Sequence, residues 1–86
     1  MKLVVILSDF GQSEFLGIMK GKILQVDPKT RIVDLCNTIS PGNIREGAWV
    51  LYRSFQAFPK GTVFLCVVDP GVGTEREAIT VFTTNY

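Results

Sequence analysis

The sequence contains no histidine and only two cysteines, Cys36 and Cys66, among its 86 residues. Structural zinc is held by four ligands drawn mainly from cysteine and histidine, so the ligand count excludes a zinc site, and no metal is predicted. Without a histidine to activate a hydroxyl group, Ser8 and Ser13 are not predicted to be nucleophiles. Two cysteines outside any CxxC pair do not form a disulfide framework, which favours a reducing, cytoplasmic setting.

The chain also lacks an excess of charge and a long hydrophobic run. Nine basic and eight acidic residues give a net charge of +1, which provides no electrostatic surface for nucleic acid or an anionic membrane. The longest apolar run, residues 63–68, is far too short to cross a bilayer. Residues 1–3 lead directly into a strand-like segment rather than the apolar region of a signal peptide. We therefore expect a cytoplasmic protein with no nucleic-acid or membrane partner.

Apolar runs alternate with segments of helical spacing along the chain. Continuous apolar runs suit strands covered on both faces, and proline at position 28 ends the first helix near Asp27. Ser40 followed by Pro41 is typical of a helix N-cap and first turn. The pattern predicts an α/β fold in the order β-α-β-α-β-loop-β, with a mainly parallel sheet and flanking helices. The predicted strands are 3–7, 31–36, 62–68 and 78–83, and the helices begin near Glu14 and Ser40.

Several other residues are interpreted as packing residues rather than functional ones. Gly17 and Gly21 are expected to allow close packing of the first helix, and both cysteines to be small buried apolar side chains. Four aromatic residues are assigned to the core or to an interface, namely Trp49, Tyr52, Phe55 and Phe58. An open sheet of three or four strands leaves an apolar edge. The chain is therefore predicted to be the N-terminal piece of something larger, or a domain that assembles with partners.

Two aspartates follow predicted strands at the edge where ligands bind in open α/β sheets. Asp9 follows the first strand, Asp69 follows the third, and each precedes a glycine by two positions. We expect the two loops to face each other across one crevice, with Arg76 able to form a charged fork beside Asp69. The alternatives are that such aspartates cap the next helix or bond their own loop, and that Arg76 forms only a surface ion pair.

Nearly the whole chain resembles one enzyme family, the S-adenosyl-L-methionine hydroxide adenosyltransferases, which are relatives of the fluorinase and chlorinase enzymes. The matching segments keep their order and spacing and include the long Val-Asp-Pro-Gly-Val-Gly run. They are Leu7-Ser8-Asp9-Phe10-Gly11, Met19-Lys20-Gly21, Arg31-Ile32-Val33-Asp34-Leu35, Phe58-Pro59-Lys60-Gly61-Thr62-Val63 and Val67-Val68-Asp69-Pro70-Gly71-Val72-Gly73-Thr74-Glu75-Arg76. The resemblance implies hydrolysis of S-adenosyl-L-methionine (SAM) to adenosine and L-methionine, with no cofactor besides this substrate.

The resemblance also implies an architecture and a set of site residues. Residues 1–86 correspond to an incomplete N-terminal α/β domain; the smaller C-terminal β domain is absent from this chain, and the whole protein is a homotrimer. Asp69 and Arg76 would hold the attacking water with a histidine that lies downstream, and Asp9 would hold the ribose hydroxyls. Glu14, where the family more usually has aspartate, would contact the methionine amino group. The remaining substrate-binding positions are Phe10, Gly11, Gly71 and Val72.

Two alternatives to the hydrolase remain open. One is a non-catalytic module that binds an adenosyl ligand or only assembles, because this chain lacks the catalytic histidine. The other is a SAM-dependent halogenase within the same family. Asp69 and Val72 stand where the fluorinase has a tyrosine and, shortly after, a threonine that lines its halide pocket. A carboxylate would repel a desolvated halide, so hydroxide is the predicted nucleophile.

Overall fold

The computed structural model describes residues 2–68 together with the backbone of residues 79–83. Apolar β-branched runs form the strands, and the helices begin after polar loops. The elements are β1 (Leu3–Ser8), α1 (Glu14–Val26), β2 (Arg31–Cys36), α2 (Ile44–Ser54), a 3-10 turn (Phe55–Ala57), β3 (Val63–Val67) and β4 (Ile79–Thr83). The predicted element order and the α/β class are confirmed. The 3-10 turn, which tightens the end of α2, was not predicted.

Four strands form one sheet in the order β2-β1-β3-β4. The β1 strand pairs in parallel with both β2 and β3, whereas β4 pairs antiparallel with β3. Parallel pairing holds for the three strands joined by helices, since each crossover returns the chain to the starting edge. No helix separates β3 from β4 in the predicted order, and the chain turns back, so the sheet is mixed rather than parallel throughout.

The core is centred on β1. Residues Val4 to Leu7 are buried, as expected for a central strand that is apolar on both faces. One end of this core is a cluster of Leu7, Ile39 and Val68, against which α2 packs. Helix α2 reaches the sheet through Gly47, where an added Cβ would lie 3.3 Å from Val68 Cγ2. This close approach places α2 beside the last residue described after β3.

Helix α1 is more exposed than its sequence pattern predicts. It has no buried residue, and its outward side chains include Phe15 at 63% and Val26 at 88% exposure. An added Cβ at Gly17 or Gly21 would meet nothing within 4 Å. The prediction that these glycines permit close helix packing is therefore wrong for the described residues. No helix in the part of the chain that the structure describes is long and apolar enough to cross a membrane.

Candidate functional site

The carboxyl ends of β1 and β3 lie side by side at one edge of the sheet. Ser8, the last residue of β1, is the register partner of Val67, the last residue of β3. The Asp9 backbone N–H extends this pairing by donating to the Val67 carbonyl oxygen at 3.2 Å. From β1 the chain crosses to β2 on one side of it, and then returns to β3 on the other side. The strand order therefore reverses between β1 and β3, which makes this the topological switch point of the sheet.

The Asp9 carboxylate is anchored to a second loop. Its Oδ2 accepts a hydrogen bond of 2.9 Å from the backbone N–H of Gly42, in the connection between β2 and α2. The alternative that Asp9 caps the following helix is wrong, because the N-cap of α1 is Ser13. This bond instead fixes the carboxylate at the sheet edge and leaves it half-buried.

Ser8 and Asn37 also join the loop after β1 to the loop after β2. The Ser8 hydroxyl, with no exposed surface, donates to Asn37 Oδ1 at 2.6 Å and accepts from the Phe10 backbone N–H at 3.2 Å. The Gly11 N–H donates to the Asn37 carbonyl oxygen at 2.7 Å, and the Ile39 N–H donates to the Ser8 carbonyl oxygen at 3.3 Å. These bonds tie the loop carrying Asp9 to the loop after β2.

The loop after β2 corrects one predicted helix start. Helix α2 begins at Ile44, and its N-cap is Asn43, whose side chain accepts from the Glu46 N–H at 3.0 Å. Glu46 Oε1 in turn accepts from the Ser40 backbone N–H at 3.0 Å, which lowers the pKa of this carboxyl group. Ser40 is therefore not the N-cap. It opens a turn closed by the Asn43 N–H on the Ser40 carbonyl oxygen, with Gly42 at a φ of 73°.

The other described candidates lie close along the chain. Gly11 has a φ of 65°, a backbone conformation that favours glycine, so the turn after Asp9 depends on it. The Phe10 ring lies 6.3 Å from the Phe15 ring, between centroids. Glu14 is exposed and begins α1. Phe10 and Gly11 are thus part of the Asp9 loop, while Glu14 sits at the start of the helix that follows it.

An open groove of about 430 Å³ adjoins this loop. It lies between the first turns of α1 and the end of β2, and Lys20 and Asp34 form an ion pair of 2.7 Å in its wall. Its described lining includes Gly11 and Asn37 but not Asp9. The groove therefore extends beside the Asp9 edge of the sheet rather than enclosing that carboxylate.

The four candidates of the third loop, Asp69, Gly71, Val72 and Arg76, lie outside the described residues. The strand residues on either side of them are described. Val67 and Ile79 are register partners in the antiparallel β3–β4 pair, and Val67 is also the partner of Ser8. The connection from β3 to β4 therefore starts and finishes at the edge of the sheet that carries Asp9.

The remaining predictions concern metals, cysteines and aromatic residues. Among residues 2–68, no group of acidic, cysteine or histidine side chains could hold a metal ion. Cys36 and Cys66 are free and half-buried, and burial raises the pKa of the Cys66 thiol to about 11. Trp49 and Tyr52 are not core residues; their rings stack at 6.0 Å on the exposed side of α2.

Sequence reasoning missed three contributors to this site, namely Ser8 as a buried hydrogen-bonding group, Asn37 and Gly42. The sequence contains only a weak indication of the turn that contains Gly42. Pro41-Gly42 favours a turn whose third residue has positive φ, and Asn43 with Glu46 three residues later matches a capping pattern. No local pattern pointed to Asn37, because its partner lies 29 positions away.

Curated relatives match most of this chain. The (R)-S-adenosyl-L-methionine hydrolases of Thermus thermophilus and Methanocaldococcus jannaschii are each 38% identical, over 92% and 96% of the chain respectively. A fluorinase of Nocardia brasiliensis is 33% identical over 90% of it. The chain spans only 31%, 33% and 26% of these relatives' own lengths.

Solved structures share the fold. A conserved hypothetical protein from Thermus thermophilus superposes with a TM-score of 0.76 at 39% identity, covering 88% of this chain and 32% of that one. An uncharacterized conserved protein from Thermotoga maritima gives 0.77 at 42% identity, covering 85% and 29%. The sequence model of the SAM hydroxide adenosyltransferase N-terminal domain family matches residues 4–86. With this match over nearly its whole length, the chain belongs to the SAM hydroxide adenosyltransferase N-terminal domain family.

Proposed function

We propose that this chain is the N-terminal α/β domain of an enzyme that hydrolyses SAM to adenosine and L-methionine. Membership of the SAM hydroxide adenosyltransferase N-terminal domain family supports the proposal. Relatives named as (R)-S-adenosyl-L-methionine hydrolases support the substrate class and make the (R) sulfonium form the first one to test. The proposed reaction consumes no cofactor, because water and the sulfonium substrate supply every atom of the products.

One observation carries the proposal furthest. Ser8, Val67 and Ile79 are aligned across three neighbouring strands at a single edge of the sheet. Asp9 follows the first of these residues, and Asp69 comes two residues after the second. Two residues of extended chain span only about 7 Å. Arg76 comes three residues before the third aligned position, so sequence distance favours one shared groove for both carboxylates and the guanidinium.

The division of roles follows the family resemblance. In the proposal, Asp9 accepts hydrogen bonds from the ribose hydroxyls and so holds C5′ in line with the attacking water. Glu14 contacts the methionine amino group, a favourable pairing of opposite charges. Four further positions line the substrate, namely Phe10, Gly11, Gly71 and Val72. Positioning of this kind can itself contribute several kcal/mol to the lowering of the barrier.

The proposed reaction is a displacement at C5′ of the adenosyl group. A water oxygen forms the new C5′–O bond while the C5′–S bond breaks, and the sulfur leaves with the electron pair as the neutral thioether of methionine. Asp69 orients the water and takes its proton, and Arg76 stabilises its hydroxide character. A histidine completes the water site and has to come from outside these 86 residues, which contain none. Opposite charges merge in this step, so a dry pocket favours it.

The exposed apolar side chains support a larger assembly. Phe15, Trp49 and Tyr52 are all more than half exposed in the described structure. Apolar surface left exposed on a domain commonly marks a contact with another domain or subunit. We infer that a C-terminal β domain and the other subunits of a homotrimer cover part of it. The two free cysteines fit a reducing, cytoplasmic compartment.

The test uses the full-length protein, SAM of each sulfonium configuration and water enriched in oxygen-18. We expect adenosine and methionine in equal amounts, with one heavy oxygen at the adenosine 5′ position, measured by chromatography and mass spectrometry. Adenosine without the label would contradict water as the nucleophile that attacks C5′. Conversion to 5′-chloro-5′-deoxyadenosine in the presence of chloride would favour the halogenase instead. Ligand binding without any turnover would favour the non-catalytic module.

A further inference from the structure

Ser8 is a polar residue at the buried end of an otherwise apolar strand. The five residues before it, Leu3 to Leu7, are all apolar, and its own side chain has no exposed surface. A buried hydroxyl is unfavourable unless its hydrogen-bonding capacity is satisfied. The Ser8 hydroxyl meets this requirement by donating a short hydrogen bond of 2.6 Å to Asn37 Oδ1 and by accepting a hydrogen bond from the Phe10 N–H. The second bond spans Asp9, which lies between Ser8 and Phe10 in sequence, and the first ties Ser8 to the loop after β2.

The pairing of β1 with β2 contains an irregularity that serves this contact. Ile6 is aligned with Asp34, but the next residue, Leu7, is aligned with Cys36. Leu35 is thus passed over, as in a β-bulge, a feature that re-aims side chains next to functional sites. Continued in register, the pairing brings Asn37 opposite Ser8. Without the shift, Ser8 would face Cys36, which offers a weak sulfur acceptor rather than an amide oxygen.

Asn37 also holds the turn that follows Asp9. Its backbone carbonyl oxygen accepts from the Gly11 N–H at 2.7 Å, so one residue contacts the loop both before and after the aspartate. The Ser8 carbonyl oxygen, for its part, accepts from the Ile39 N–H. Asp9 therefore sits on a backbone segment fixed at both ends by a neighbouring loop.

We propose that Ser8 and Asn37 are positioning residues that set the orientation of the Asp9 carboxylate for the ribose hydroxyls. The inference rests on the proposed function, in which Asp9 binds those hydroxyls. A carboxylate that accepts two hydroxyls has to be held to within a fraction of an ångström, and its own side chain provides only two rotatable bonds. The Ser8–Asn37 bond supplies the missing constraint by fixing the backbone from which that side chain projects.

The test compares two substrates in the full-length protein, SAM and its 2′-deoxyadenosyl analogue, which lacks one ribose hydroxyl. The measured quantity is the kcat/KM value for SAM divided by the kcat/KM value for the 2′-deoxy analogue. Ser8→Ala removes the donor, and Asn37→Leu removes the acceptor with little change of volume. Asn37→Asp is the matched control, because a carboxylate oxygen still accepts from Ser8. Both substrates carry the same charge, so the added charge cancels in the ratio.

We expect Ser8→Ala and Asn37→Leu each to lower the ratio about tenfold, while Asn37→Asp keeps it near the wild-type value. A general structural defect would reduce both kcat/KM values by the same factor and leave the ratio unchanged, which would overturn the positioning role. A wild-type protein that does not discriminate between the substrates would instead contradict the ribose role of Asp9 and the inference with it. If Asn37→Leu does not fold, Ser8→Ala, which removes one oxygen atom, decides.

Discussion

The Asp9 carboxylate and the Gly42 backbone N–H meet at 2.9 Å, although 33 positions separate them in the sequence. The contact depends on a turn in which Gly42 has a φ of 73°. Side-chain-bearing residues other than asparagine and aspartate rarely adopt this conformation. The identity of residue 42 therefore affects the orientation of a carboxylate on another loop.

Gly42→Ala tests this relationship. An L-residue in the left-handed region costs about 1–2 kcal/mol, so we expect lower stability and a displaced Gly42 N–H that weakens the hold on Asp9. Gly42→Asn is the matched control, because asparagine tolerates positive φ better. Chemical denaturation measures stability, and adenosine release measures activity. Equal stability and equal activity of the alanine and asparagine variants would contradict the prediction.

Gly47→Ala tests the close contact between α2 and the residue after β3. Alanine favours a helix by about 1 kcal/mol over glycine, but its Cβ would lie 3.3 Å from Cγ2 of the buried Val68. Overpacking costs about 1–3 kcal/mol, so we expect a net loss of about 1 kcal/mol. Gly21→Ala, where nothing lies within 4 Å, should be neutral or stabilising in the same denaturation experiment. A more stable Gly47→Ala protein would show that Val68 moves aside at little cost.

Asp69→Asn tests the proposed acid–base chemistry in the full-length protein. The amide cannot take a proton from water, so we expect adenosine release to fall by at least about a hundredfold while SAM still binds. Calorimetry measures the binding and chromatography the product. Asp34→Asn removes an equal charge from the partly exposed ion pair between Asp34 on β2 and Lys20 on α1, and should leave turnover near the wild-type level. Unchanged turnover in Asp69→Asn would remove the role assigned to this residue.

The raised pKa of the Cys66 thiol predicts a loss of stability in alkaline solution. Burial raises the pKa of this thiol to about 11, above its value in the unfolded chain. The unfolded chain therefore loses the thiol proton first as the pH rises above about 8.5–9, and the free energy of unfolding falls until the folded thiol also ionises near pH 11. Denaturation at a series of alkaline pH values measures the slope. A Cys66→Val variant should lose this component of the slope, and an identical profile in both proteins would exclude Cys66 as its source.

The strands and the first helix could be predicted because their signals are local. Apolar runs marked β1 and β3, and the Asp27-Pro28 step ended α1 within a residue of its observed end at Val26. The predicted start of α2 was wrong because serine and asparagine, at positions 40 and 43, are both favourable N-cap residues. Only the structure shows that the Glu46 N–H donates to the Asn43 side chain, while the Glu46 carboxylate accepts from the Ser40 N–H.

The parts of the site that could not be predicted depend on register between distant segments. The position of Asp9 at this edge of the sheet was predicted because a residue that follows a strand is visible in the sequence. Its partner Gly42 was not, because the contact requires β2 and its loop to be placed beside β1. Likewise, Asn37 becomes the partner of Ser8 only through the irregular alignment at Leu7 and Cys36. Composition and periodicity contain no information about a one-residue shift of this kind.

The reversed direction of β4 has a consequence for any downstream residue that reaches the substrate. Thr83, its last residue, is aligned with Val63, at the amino end of β3. The carboxyl end of β4 thus lies at the opposite end of the strands from Asp9, about 16 Å away along a five-residue strand. In the proposed hydrolase, a histidine supplied by later sequence must therefore return across that distance or come from a neighbouring copy of the protein.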